Sequence, residues 1–163
     1  MEKQKVLVAE RISDKGVVCL KAEKALDVTV DFDIKREDLL QVIGNYDALI
    51  VRSVTKVNEE LYDAAKKLKV IGRAGNGVDN IDLDGATKRG IIVVNTPEAN
   101  IISAAEHTIG LLLASCRNTV RANKMLEEGI WERKDLKGSE LYHKTLGIMA
   151  AALGLLYKAH ACL

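Results

Sequence analysis

Five short apolar runs separated by amphipathic segments fill the first 95 residues, and no other feature of the chain restricts its fold as much. The runs are Val6-Leu7-Val8-Ala9, Val28-Thr29-Val30-Asp31-Phe32, Ala48-Leu49-Ile50-Val51, Val70-Ile71 and Ile91-Ile92-Val93-Val94. The third shows no polar–apolar alternation, as expected for a strand covered by helices on both faces. Between the runs lie helix patterns. Ser13-Asp14 opens one with apolar positions Val17, Val18, Leu20, Ala22 and Ala25, and residues 35–43 carry Leu39, Leu40, Val42 and Ile43 on one side before stopping at Gly44-Asn45. Asn58-Glu59-Glu60-Leu61 supplies an N-cap and first-turn acids for a third, running to about Leu68, and a short fourth ends at Lys88-Arg89-Gly90. Strands alternating with helices in this way predict a doubly wound parallel α/β sheet. Pro97 forces Thr96 out of the helical region and marks a boundary.

Beyond that boundary, residues 100–117 form one long helical pattern whose apolar side chains Ile101, Ile102, Ala105, Ile109, Leu111, Leu112, Leu113 and Ala114 cover nearly the whole circumference. Such a helix has to be buried on several sides, by a second domain or a second subunit. A shorter helix over 120–128 stops at Gly129, a charged loop with the only tryptophan follows at Trp131-Glu132-Arg133-Lys134, and Leu146-Gly147-Ile148 is a candidate first strand of something new. A length of 163 residues fits one domain plus a fragment of another.

With 24 basic against 23 acidic residues, nothing in the charge points to nucleic acid or an anionic membrane. The first apolar run is broken at once by Glu10-Arg11, too early for a signal peptide, and the longest uncharged run, 145–157, is too short to span a bilayer, so a cytoplasmic chain is expected. Cys19, Cys116 and Cys162, widely spaced in apolar surroundings, are expected to be buried reduced thiols.

The fourth strand runs into Gly72-Arg73-Ala74-Gly75-Asn76-Gly77-Val78, followed by Asp79-Asn80-Ile81-Asp82-Leu83 as a helix start. In a parallel α/β sheet this loop lies at the carboxyl end of its strand, where ligands bind and where a following helix directs free N–H groups. Arg52 and Ser53 end the third strand on the same sheet edge. A guanidinium beside free N–H groups is a receptor for a carboxylate or phosphate; the other reading, equally open from pattern alone, is a tight turn with solvated arginines. Gly75-Asn76-Gly77-Val78-Asp79-Asn80, with Glu98 21 residues after Gly77, also mimics the dinucleotide fingerprint. Asn80 stands where its third glycine belongs and Asp79 would repel a pyrophosphate, which argues against direct dinucleotide binding. His107 beside Glu106 reads as a hydrogen-bonded packing residue, and His143 and His160 have no spaced metal-ligand partners, so neither a metal nor a catalytic residue is assigned.

Taken together, Val51-Arg52-Ser53-Val54-Thr55-Lys56-Val57, Val70-Ile71-Gly72-Arg73-Ala74-Gly75-Asn76-Gly77-Val78-Asp79-Asn80-Ile81-Asp82, Asn95-Thr96-Pro97, Ser103-Ala104-Ala105-Glu106-His107-Thr108 and Gly129-Ile130-Trp131-Glu132-Arg133 resemble the D-2-hydroxyacid dehydrogenases, and among them the phosphoglycerate dehydrogenases. The likeness runs from about Lys5 to Ile148 in order and with family spacing. It implies a flavodoxin-like parallel five-stranded sheet over 1–98 as the substrate-binding or lid domain, crossover helices and a dimer-contact loop over 99–141, and a truncated beginning of a Rossmann domain over 142–163. It implies that Arg52, Ser53, Gly75, Asn76, Gly77 and Val78 hold the substrate carboxylate and its neighbours with Arg73 close by, that Asn76 also lies near the nicotinamide, and that Arg133 reaches toward the partner subunit's substrate. The implied substrate is 3-phosphoglycerate, oxidised with NAD at the start of serine synthesis, in a homo-oligomer formed through the 100–140 region.

The departure from the family lies after Ile148. Relatives continue into the glycine fingerprint that cradles the NAD pyrophosphate, whereas this chain reads Met149-Ala150-Ala151-Ala152-Leu153-Gly154-Leu155-Leu156 and ends at Leu163. The family's ribose-binding acid and its catalytic arginine, glutamate and histidine, all further along in relatives, are not among these residues. The expectation is half an active site, without dehydrogenase activity or tight NAD binding alone. The alternative is a non-catalytic interaction module that self-associates or docks on a complete subunit through the helix over 100–117.

Overall fold

A computed structural model of the chain describes residues 3–147. The chain divides into two compact units, Met1–Ala99 and Asn100–Leu163. The first unit holds a five-stranded sheet of β1 (Gln4–Val8), β2 (Leu26–Val30), β3 (Ala48–Val51), β4 (Val70–Arg73) and β5 (Ile92–Asn95), every pairing parallel, in the order β2-β1-β3-β4-β5. This is the flavodoxin-like order, with its switch point between β1 and β3.

Register decides which strand residues make the core. Leu7, Leu49, Ile71 and Val93 align across β1, β3, β4 and β5 and so share one face. Against them pack Leu39 of α2 (Arg36–Val42), Ile43 just beyond it, Leu61, Tyr62 and Ala65 at α3 (Glu59–Ala64), and Ala86 of α4 (Leu83–Lys88). The connections through α2, α3 and α4 all run in one direction along the sheet, so right-handed crossovers put these helices on the same face. The connection through α1 (Asp14–Ala22) runs the other way and lies on the opposite face, above the buried Val6 and Val8. That second face is thinly covered toward β5, where Ile92 and Val94 are exposed.

Ser13 and Asn58 cap α1 and α3 as expected, their side chains accepting the N–H groups of Gly16 and Leu61. Several element boundaries differ from the sequence expectation. Helix α1 stops at Ala22 and β2 starts at Leu26, because Gln4 N donates to Ala25 O and draws the chain into the sheet two residues early. Helix α3 ends at Ala64. Helix α4 starts at Leu83 rather than Asp79, since Asp82 is its N-cap and accepts from Gly85 N at 3.0 Å. Residues 78–82 instead make a turn whose Ile81 bridges Val57 in parallel. Tyr62 locks the start of α4 by donating its hydroxyl to Asp82 O at 2.7 Å. Burial, and after it the Asp82 charge, pushes this phenol up to about 12.

The second unit contains α5 (Ile101–Cys116) and α6 (Thr119–Glu127), joined through Asn118 in the left-handed region at φ 54°. Cys116 O accepts from Ser139 N at 2.8 Å, tying the following loop back to the end of α5. On α5, Ile102, Leu111 and Leu113 are exposed, and Trp131 in the charged loop is 76% exposed. Two expectations are corrected here. His107 is exposed rather than packed, and Cys19 is exposed rather than buried, because α1 buries none of its residues; Cys116 is half-buried. Among the described residues no helix is long and apolar enough to cross a membrane. Ile148, His160, Cys162 and the divergent segment over 149–163 lie outside the described residues.

Candidate functional site

Parallel strands deliver the ends of β1, β3, β4 and β5 to one edge of the sheet, and the segments that leave them form the candidate site. Register places Val51, Arg73 and Asn95 at the same level, one residue short of the loops. From β3 the chain turns through Arg52-Ser53-Val54-Thr55, and from β4 through the glycine loop.

The 52–55 turn is held from both sides. On one side Glu10, two residues beyond the buried end of β1 and only 9% exposed, accepts Val54 N at 3.1 Å and Thr55 N at 2.8 Å. Burial pushes the Glu10 carboxyl upward, but the backbone N–H groups of Thr55, Arg52 and Val54 together outweigh it and hold the group below its ordinary range. On the other side the Asn80 amide donates to Arg52 O at 2.8 Å and Thr55 O at 2.7 Å. Asn80, which failed as a fingerprint glycine, is therefore the clasp between the two loops. Its own backbone carbonyl accepts Val57 N at 2.8 Å.

Arg73 is turned inward. Its side chain is 11% exposed, its Nε donates to Arg52 O at 3.2 Å and to Asn80 Oδ1 at 3.4 Å, and one terminal nitrogen lies 3.8 Å from Asp79 Oδ1. The glycine loop wraps this guanidinium: a Cβ on Gly75 would collide with Arg73 Nη1. Neither Gly75 nor Gly77 has positive φ; among the described glycines only Gly90 and Gly129 do. The glycine at 75 thus answers to the close approach of Arg73, and not to a left-handed turn. Beyond it, Asn76 O accepts from Asn95 Nδ2 at 2.6 Å and Gly75 O from Thr96 N at 3.1 Å, so β5 fixes the far side of the loop. Among the described residues the backbone N–H groups of Asn76, Gly77 and Val78 have no intramolecular acceptor.

Arg52 differs from Arg73 in every respect. It is exposed, makes no ion pair among the described residues, and the one hydrogen bond of its side chain there runs from Nη1 to Arg11 O at 3.3 Å. It lines a cleft of about 640 Å³ with Arg11, Ser13, Ala74 and Thr96. Ser53 faces away from that cleft into a separate depression of about 410 Å³ beside Lys56, Asp79 and Asp82. Arg133 is exposed in the loop after α6, where its carbonyl accepts Leu136 N at 3.2 Å.

The residues do not fit a dinucleotide pyrophosphate. Arg73 occupies the space under the glycine loop, Asp79 projects from it at 84% exposure, and α4 is only six residues long with its first turn closed by Asp82. The free helix N–H groups expected right after the loop are therefore not presented there. Glu10, Asn80, Asn95 and Thr96 went unassigned in the sequence; the available signal was an acid placed immediately after a fully apolar strand, where water or a backbone donor has to satisfy it.

Residues 6–157 match the family described as D-isomer specific 2-hydroxyacid dehydrogenase, catalytic domain. The chain is 50% identical over 145 residues to a D-3-phosphoglycerate dehydrogenase of Archaeoglobus fulgidus, an alignment covering 89% of this chain and 27% of that protein. It spans about a quarter of the length of the curated relatives it matches. Among solved structures it is similar to the TT0316 protein of Thermus thermophilus (TM-score 0.80, 30% identity, 97% of this chain and 53% of that one). It is also similar to the NAD+-bound 3-phosphoglycerate dehydrogenase of Entamoeba histolytica (TM-score 0.75, 29% identity, 98% of this chain and 50% of that one).

Proposed function

The chain belongs to the family of D-isomer specific 2-hydroxyacid dehydrogenases, and on that premise we propose that it is the substrate-binding portion of an NAD-dependent enzyme that oxidises 3-phosphoglycerate. The observation that carries this is Arg52: an exposed guanidinium with no carboxylate partner among the described residues, opening onto a cleft at the carboxyl edge of the sheet. Its guanidinium fork pairs bidentately with a carboxylate. The unpaired N–H groups of Asn76, Gly77 and Val78 are the free donors of the glycine loop, Arg73 acts by holding that loop in shape, and Ser53, on the other side of the turn, is left out of the Arg52 cleft. Arg133 is assigned to a partner subunit's substrate. In this reading the chain binds and orients the hydroxy acid. When bound, NAD would supply the hydride acceptor, and Asn76 is the one position here that would lie near its nicotinamide. The isolated chain accordingly has no dehydrogenase activity.

Titration of the 163-residue chain with 3-phosphoglycerate and, separately, NAD tests this. Binding of 3-phosphoglycerate that Arg52→Ala removes, with no measurable NAD affinity, is the expected result. Equal binding by wild type and Arg52→Ala, or substrate-dependent NADH formation by the chain alone, contradicts it.

The exposed Ile102, Leu111, Leu113, Val120 and Leu126 favour self-association as a second reading, in which the 100–140 region forms a homo-oligomer. Light scattering that finds a monomer at micromolar concentration removes it.

A further inference from the structure

We propose that Arg11 is a second anion anchor of the Arg52 cleft, the residue that makes it select a phosphorylated hydroxy acid over an unphosphorylated one. The inference rests on the substrate-binding reading above and adds to it the position of the phosphate.

Arg11 and Arg52 lie on adjacent strand ends, are joined by Arg52 Nη1 donating to Arg11 O at 3.3 Å, and both line the cleft of about 640 Å³. The hydrogen bond uses only the Arg11 carbonyl. Its guanidinium makes no hydrogen bond and no ion pair among the described residues. No aspartate or glutamate lines the cleft; the other walls are Ile12, Ser13, Gly16, Ala74, Thr96 and Ala99. Glu10, the carboxylate next in sequence, is committed to the Val54 and Thr55 N–H groups and does not neutralise either arginine. The start of α1 lines the cleft through Ser13 and Gly16, whose N–H is already taken by Ser13 Oγ at 3.2 Å.

Two unneutralised guanidinium groups on one wall repel each other unless anionic charge sits between or across them. A carboxylate alone satisfies one. A ligand with a carboxylate at one end and a phosphate at the other satisfies both, and the cleft falls within the roughly 300–1,000 Å³ usual for small-molecule sites. With the carboxylate on Arg52, Arg11 takes the phosphate oxygens through charge-assisted hydrogen bonds. Lysine at this position would keep the charge and lose the fork.

Calorimetric titrations of the 163-residue chain with 3-phosphoglycerate, D-glycerate and NAD, for wild type, Arg11→Ala, Arg11→Lys and Arg52→Ala, test the proposal. Wild type binds 3-phosphoglycerate tighter than D-glycerate by roughly tenfold or more, and Arg11→Ala erases that preference by weakening 3-phosphoglycerate alone, the worth of one charge-assisted contact. Arg11→Lys retains part of it. The proposal is overturned if Arg11→Ala leaves 3-phosphoglycerate affinity unchanged, weakens both acids equally, or changes only NAD binding. In those cases loss of binding in Arg52→Ala still supports the substrate reading. Wild type that binds neither acid overturns both.

Discussion

Glu10 and Thr55 stand 45 residues apart in the chain and are joined by a 2.8 Å hydrogen bond from the Thr55 N–H to the Glu10 carboxylate. With the companion bond from Val54 N, it ties the turn that carries Arg52 to the end of a central strand. The turn that carries Arg52 therefore rests on an acid that does not itself line the cleft.

Replacing Glu10 with alanine leaves at least two backbone N–H groups without an acceptor, at a cost of about 2–4 kcal/mol. The substitution Glu10→Gln, which keeps one accepting oxygen, is expected to recover about half of that. The folded carboxyl lies below its ordinary value of 4.5, so its contribution to stability is complete above that pH and is lost as the pH falls through the folded value. Urea denaturation at neutral pH and near pH 3 checks both points: the difference between wild type and Glu10→Gln shrinks in acid. A difference that grows in acid contradicts the account.

Asn80 donates to two carbonyls and accepts from Arg73, a set that aspartate cannot reproduce. Asn80→Ala is expected to cost about 1–2 kcal/mol, and the near-isosteric Asn80→Asp more, because it sets carboxylate oxygens against Arg52 O and Thr55 O. Thermal melts order the variants. An Asp variant as stable as wild type would show that the amide is not the clasp.

Gly75→Ala places a methyl against the Arg73 guanidinium, which can escape only by giving up Arg52 O and Asn80. We expect a loss of about 1–2 kcal/mol in the wild-type background and close to none in Arg73→Ala. A double-mutant cycle by chemical denaturation measures this coupling; additive effects would mean that the glycine serves some other purpose.

The βα alternation, the parallel sheet, the caps Ser13 and Asn58 and the stop at Gly90 were all legible locally, because each depends on the period of apolar residues or on a side chain reaching backbone within a single turn. The glycine loop was recognised too, and so was the likeness to the family whose description matches residues 6–157. The start of α4 was misplaced because Asp79 and Asp82 are both acceptable caps by residue type; the Tyr62 hydroxyl on Asp82 O and the Val57–Ile81 bridge select the second.

The sequence by itself determined where strands end, and hence that Arg52, Arg73 and the glycines gather at one sheet edge. Only the tertiary structure decided what each does there. Arg52 and Arg73 are the same residue type one register step apart on neighbouring strand ends, yet one faces open cleft and the other is wrapped by Gly75 and bonded to Arg52 O and Asn80. That division of labour comes from side-chain direction and from hydrogen-bond partners 7 to 41 residues away. Periodicity along the chain carries no record of either, because hydrogen-bond partners across a sheet are chosen by strand order and register, not by separation in sequence.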